Sequence, residues 1–103
     1  MMDLDAFKVS LAGDSPPAGV AGTLAALWHL AKGEWDAAHA LAQAADDADG
    51  AWVHAHLHRV EGDPSNAGYW YRRAGRSRSH APLDVEWDEI ASALLRAQAH
   101  AAP

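Results

Sequence analysis

His54, His56 and His58 fall within five residues of one another, and Glu61 stands three positions beyond the last. On a wheel of about 100° per residue, His54 and Glu61 lie side by side and His58 sits about 40–60° further round. The pattern His-x-x-x-His-x-x-Glu can therefore set two imidazoles and a carboxylate on one face of a helix. That donor set suits zinc or another divalent ion, which makes His54, His58 and Glu61 metal candidates. The competing structural reading has these residues flank a core stripe of Val53, Leu57 and Val60 and bond to a neighbouring helix. His29 holds the place of His58 in an earlier copy of the pattern, which favours the structural reading. No cofactor is assigned from sequence. The metalloprotease arrangement His-Glu-x-x-His is absent.

A second set of polar residues follows the turn at Gly62. Ala67, Trp70, Tyr71 and Ala74 form an apolar stripe, and Asn66 and Arg73 flank it as neighbours on the wheel. A short turn folds this helix back antiparallel on the histidine-bearing one. Asn66 is then expected to reach Glu61, and Arg73 to approach His54. His54, His58, Glu61, Asn66, Tyr69 and Arg73 compose the ligand-binding candidates, against the alternative of a purely structural polar network. No residue is assigned a catalytic step. The chain has no Gly-rich phosphate loop, no Gly-x-Ser-x-Gly and no cysteine nucleophile.

The five tryptophans divide by position. Trp28, Trp70 and Trp87 fall on apolar stripes. Trp35 and Trp52 begin helices slightly off the stripe and, with Arg76 and Arg78, are the candidates for a partner surface, because Trp and Arg dominate binding energy at interfaces. Their structural alternative is contact between helical hairpins. Arg72, Arg73, Arg76 and Arg78 lie within seven residues free of acids. Such a loop can hold a phosphate or an acidic peptide through charge-assisted bonds, with hydroxyls from Ser77 and Ser79; its alternative is a solvated loop. A net charge of −6 argues against nucleic acid as the partner. The acidic run at 46–49 lacks the ligand spacing of a calcium loop.

These residues need a scaffold, and composition says which kind. The 103 residues suit one domain, rich in alanine and poor in alternating β-branched residues, so the expected class is all-α. Helices are expected at 4–11, 18–32, 34–45, 51–61, 64–74 and 84–102, six in all. They group as an N-terminal helix and linker (4–17), a first hairpin (18–48), a second hairpin (51–75) and a C-terminal capping helix (84–102). Asp63 and Asp84 are the expected caps of the last two helices. With no cysteine, no signal-peptide order in Met1-Met2-Asp3-Leu4-Asp5 and no apolar run near the ~20 residues of a membrane span, a cytoplasmic protein that avoids membranes is expected.

The two hairpins superpose at an offset of 29 residues, which lays Leu24, Trp28, Gly33, Ala38 and Leu41 over Val53, Leu57, Gly62, Ala67 and Trp70. The spacing Gly33, Ala38, Ala42, Ala45 and its copy Gly62, Ala67, Tyr71, Ala74 resembles the tetratricopeptide-like pattern. The run 67–74 is also similar to the Sel1-like variant, with Trp-Tyr just before the terminal alanine. The resemblance covers 21–75. Its departures are an offset shorter than the ~34 residues of a tetratricopeptide unit, and Ala25-Ala26 and His54-Ala55 where a Leu-Gly pair is usual. It implies stacked antiparallel hairpins that present a surface to a protein or peptide. Two hairpins are fewer than the ~3 repeats that such a stack needs alone, so a second copy is expected to cover the remaining apolar surface as a homodimer.

Overall fold

The computed structural model describes residues 2–100, so positions 101 and 102 of the expected last helix lie outside the described residues. Among those described, the chain is all-helical, as expected. The six helices are α1 (Leu4–Val9), α2 (Gly22–Ala31), α3 (Trp35–Ala44), α4 (Ala48–Val60), α5 (Pro64–Ala74) and α6 (Leu83–Ala99), with a short 3-10 turn at Ser10–Ala12 after α1.

Local chemistry sets the boundaries. α5 matches its expected span because three signals agree. The Asp63 carboxylate accepts from the Asn66 amide at 3.1 Å, Pro64 opens the helix, and Gly75 closes it at φ 71°. α2 starts later than expected because Gly19 and Gly22 take φ of 86° and 57°, left-handed conformations that hold the preceding segment as a loop. α4 starts earlier than expected. The Asp47 carboxylate caps it through the Gly50 amide at 2.7 Å, so the break between the hairpins is shortened to residues 45–47 and the rest of the acidic run is helical. α6 departs from its expected cap: Pro82 holds that position without a side-chain bond, and Asp84 lies inside the first turn, where it favours the helix dipole.

α2–α3 and α4–α5 are hairpins closed in the same way. Gly33 and Gly62 have φ of 79° and 84°, and the next amides, of Glu34 and Asp63, donate to the carbonyls of His29 and His58 at 2.9 Å each. Positions 29 residues apart share their environment. Ala38 and Ala67 are buried, as are Ala42 and Tyr71, Leu24 and Val53, and Trp28 and Leu57. Alanine at these places lets the helices approach closely.

α4 is the centre of the fold. It packs on α2, α3, α5 and α6, while α6 also packs on α2 and α1. Every residue from Gly50 to His58 is buried. α6 buries Trp87, Ile90, Ala91, Leu94 and Leu95; the Trp87 indole donates to the Leu27 carbonyl at 3.0 Å, and its ring stacks on Phe7.

The α3–α4 connection depends on an absent side chain. A Cβ on Gly50 would stand 2.0 Å from the Ala45 carbonyl oxygen, a backbone atom that cannot swing away. Gly50→Ala is expected to destabilise the fold by about 1–3 kcal/mol, read as a lowered urea midpoint. A wild-type midpoint would mean that the connection relaxes freely.

Candidate functional site

Because α4 is surrounded, each of its polar side chains must find a partner inside the protein. They find two kinds, on two sides of the helix.

Towards α3 and α5 the histidines meet one another. His54 is 3% exposed, and its Nε2 lies 2.9 Å from the Nε2 of His39 in α3. Its ring stacks on Trp70 of α5 at 3.8 Å and on His58, one turn along, at 4.8 Å. His39 is half-buried and stacks on Trp35, whose indole N–H donates to the Leu57 carbonyl at 3.0 Å. One nitrogen from each of His39, His54 and His58 falls within 4.8 Å of the others. Burial, reinforced by His39 and His58, holds the His54 pKa down to about 4, so this imidazole is neutral at neutral pH.

His58 is fixed from its other edge. Glu61 accepts from its Nδ1 at 2.5 Å, and a carboxylate can only accept, so Nδ1 carries the proton. The Asn66 amide nitrogen lies 3.5 Å and 3.3 Å from the two ring nitrogens; with Nδ1 protonated, Nε2 is the one that can accept from it. Asn66, expected to reach Glu61, is thus seated against His58 instead. Arg73 and Tyr69 sit on the exposed side of α5 and bond to each other at 3.1 Å. Arg73 also lies over the Trp70 ring and, with His54, Trp70, Gln43, Asp46 and Asp47, lines a cleft of about 270 Å³. It comes near His54 by that route.

Of the expected partner surface, Arg76 and Arg78 are exposed, Trp35 is half-buried and Trp52 is buried. Trp52 is 8% exposed and carries the Arg76 guanidinium flat on its ring at 3.4 Å. Trp35 is half-buried among the histidines. Arg78 lies against Gly68, where an added Cβ would come within 2.1 Å of its guanidinium. Trp35, at the start of α3, meets Leu57 and His58 of the second hairpin, whereas Trp52 meets Arg76 of the loop that follows its own hairpin. Three arginines of the basic loop are likewise drawn onto the protein's own aromatic and glycine surfaces.

On the side facing α6, the partner is a carboxylate. Glu86 is 1% exposed; it accepts from His56 Nδ1 at 2.6 Å, from Arg59 at 2.7 Å and from the Tyr71 hydroxyl. Arg59 spends its other arm on the Ala81 carbonyl at 2.6 Å, which ties down the loop before α6. Burial alone would raise the Glu86 pKa, but the bonds from His56, Tyr71 and Arg59 hold it below its ordinary value. Burial and the same carboxylate push the Tyr71 hydroxyl well above the usual tyrosine range. For Arg59, burial opposes the charge and Glu86 more than offsets it.

Sequence reasoning named His54, His58, Glu61 and Asn66, and the structure brings them together. It missed His39, Glu86 and Arg59. Glu86 was detectable, since it stands four residues before Ile90 and so lies on the buried stripe of α6. His39 carried no comparable signal, because its role depends on how α3 rotates against α4.

No protein-family model, curated protein or solved structure matches the chain. What the site does must be argued from its own chemistry.

The Glu86 cluster gives a direct expectation. Glu86→Ala leaves Arg59 and His56 without their acceptor and should cost about 3–5 kcal/mol. Its pH dependence has a definite sign. The unfolded carboxyl titrates near 4.5 and the folded one lower, so its stabilisation is complete above that value and is lost as pH falls through the folded pKa. Urea midpoints from about pH 6 down to about pH 3 should therefore fall more steeply in wild type than in Glu86→Gln. Parallel curves would remove Glu86 as the source.

Proposed function

We propose that this chain is a cytoplasmic, tetratricopeptide-like scaffold that holds a protein or peptide partner and pairs with a second copy of itself, with no catalytic step of its own. The observation that supports the reading is an open groove of about 510 Å³ where the ends of α2 and α4 meet the start of α6. Leu11, Leu30, Ala31, Val60, Leu83 and Trp87 make its walls, and Lys8, Asp84 and Asp88 its rim. Val60 and Leu83 are 39% and 40% exposed, large apolar side chains left beside each other. An apolar floor inside a charged rim is the anatomy of a protein interface.

The hairpins support the tetratricopeptide-like part of the reading through their equivalent turns and the alanines buried at matching positions. The groove lies elsewhere than Trp35, Trp52, Arg76 and Arg78, so it replaces them as the partner surface. No helix among the described residues is long and apolar enough to cross a membrane. The cytoplasm remains the compartment suggested by the cysteine-free composition.

Two measurements test this. A photo-crosslinking residue at Leu83 should capture a discrete species in native cells, whereas the same residue at Gln98, exposed near the far end of α6, should not. In sedimentation, wild type should be dimeric at micromolar concentration and Leu83→Lys monomeric with unchanged helicity. No crosslink from Leu83 would overturn the groove as a docking surface, and a monomeric wild type would end the pairing.

A further inference from the structure

We propose that His39, His54 and His58 form a three-histidine site for one divalent transition-metal ion, zinc by its chemistry, with Glu61 as the outer carboxylate that orients His58. This site is separate from the apolar groove and does not rest on the scaffold reading.

The geometry carries the assignment. The three ligand nitrogens lie within 4.8 Å of one another, and the closest pair is 2.9 Å apart. Nitrogens about 2.0–2.1 Å from a tetrahedral zinc are about 3.3–3.4 Å from each other, so the cluster brackets the required spacing. Small side-chain rotations close the site. An all-imidazole set selects zinc, copper, nickel or cobalt over magnesium and calcium, which take oxygen ligands.

Protonation is arranged for metal as well. Glu61 fixes the His58 proton on Nδ1, so Nε2 is the ring's acceptor, and an ion there takes the place of the Asn66 contact at 3.3 Å. Carboxylate, histidine and ion in series is the usual outer support of a metal-bound imidazole. His39 and His54 share one proton between their Nε2 atoms, so one donates and the other accepts. An ion takes the place of that shared proton; the donor ring then carries its hydrogen on Nδ1.

The other side of α4 supplies the contrast. There a buried histidine is answered by Glu86 and balanced by Arg59. His39, His54 and His58 face one another with no carboxylate between them, an arrangement that a cation completes. His54 also lines the cleft that holds Trp70 and Arg73, and His39 is half-buried, so the cluster is reached from solvent.

The test uses the full chain without a histidine tag. Cobalt(II) should bind at one ion per chain with the intense visible bands of tetrahedral coordination, and zinc should displace it. Glu61→Gln should weaken zinc binding by about 10–100-fold, and His39→Ala and His54→Ala by more than that. His29→Ala, a histidine outside the cluster, should bind as wild type does. His39 is half-buried at the surface of α3, so His39→Ala decides the matter even where His54→Ala fails to fold by circular dichroism. A cobalt spectrum unchanged from the aqueous ion at equimolar protein would overturn the proposal. So would zinc binding that His39→Ala leaves intact.

Discussion

Burying α4 on every side is the constraint to which the other elements answer. A helix surrounded by four others normally presents apolar residues all round. This one carries three imidazoles between His54 and His58, and the Arg59 guanidinium follows. An unpartnered polar group in that position costs about 1–3 kcal/mol, and a charge costs more. Three of the four neighbours therefore bring a specific partner: α3 brings His39, α5 brings Trp70, Asn66 and Tyr71, and α6 brings Glu86. Among the described residues, no buried side-chain nitrogen or oxygen is left without a hydrogen bond. Apolar contact alone would tolerate rotation of α6 about its axis. The Glu86 bonds to His56, Arg59 and Tyr71 do not, because they join residues of α4, α5 and α6 at one point.

Much of this was legible in the chain, and the part that was not has a common cause. Helix class and the two hairpins follow from local rules: Gly33 and Gly62 can take positive φ, Asp63 can cap, Pro64 can start a helix. The face shared by His54, His58 and Glu61 follows from periodicity within a single helix. Errors entered where a local signal had two meanings. The acidic run after α3 reads as a break, yet an Asp can also cap, and the Asp47 side chain caps α4. Gly19 and Gly22 read as tolerable inside a helix, yet both sit at left-handed φ. His39 and Glu86 belong to the site only through the relative rotation of separate helices, which no wheel drawn on one segment contains. Trp35 stands off the stripe of its own helix, and that is where the second hairpin makes contact.

Small residues explain how polar groups come so close. Ala38, Ala42, Ala55 and Ala67 are all buried at contacts between the hairpin helices. Alanine brings two helix axes near together at little cost in side-chain entropy. Rings that would otherwise be separated by a layer of leucines then touch: His54 on Trp70, His39 on Trp35, and His39 on His54 at 4.6 Å edge to face. The aromatic layer is thus a consequence of the alanine spacing that the repeat comparison picked out.

The two polar clusters of α4 differ in how completely they are determined, and that difference separates structure from function. Around Glu86 every donor has an acceptor, one carboxylate meets one guanidinium, and the charge is balanced within the protein. Nothing further is needed there, and a ligand would have to break bonds to enter. Around His54 the rings are held by stacking on Trp70, Trp35 and each other, while their nitrogens are tied by a single shared proton, one carboxylate at the margin and the Asn66 amide. Stacking fixes where the rings are without consuming their lone pairs. Rigid rings whose nitrogens converge are preorganised donors, so the free energy of positioning them is already met by folding, and what binds there has only weak neutral contacts to displace.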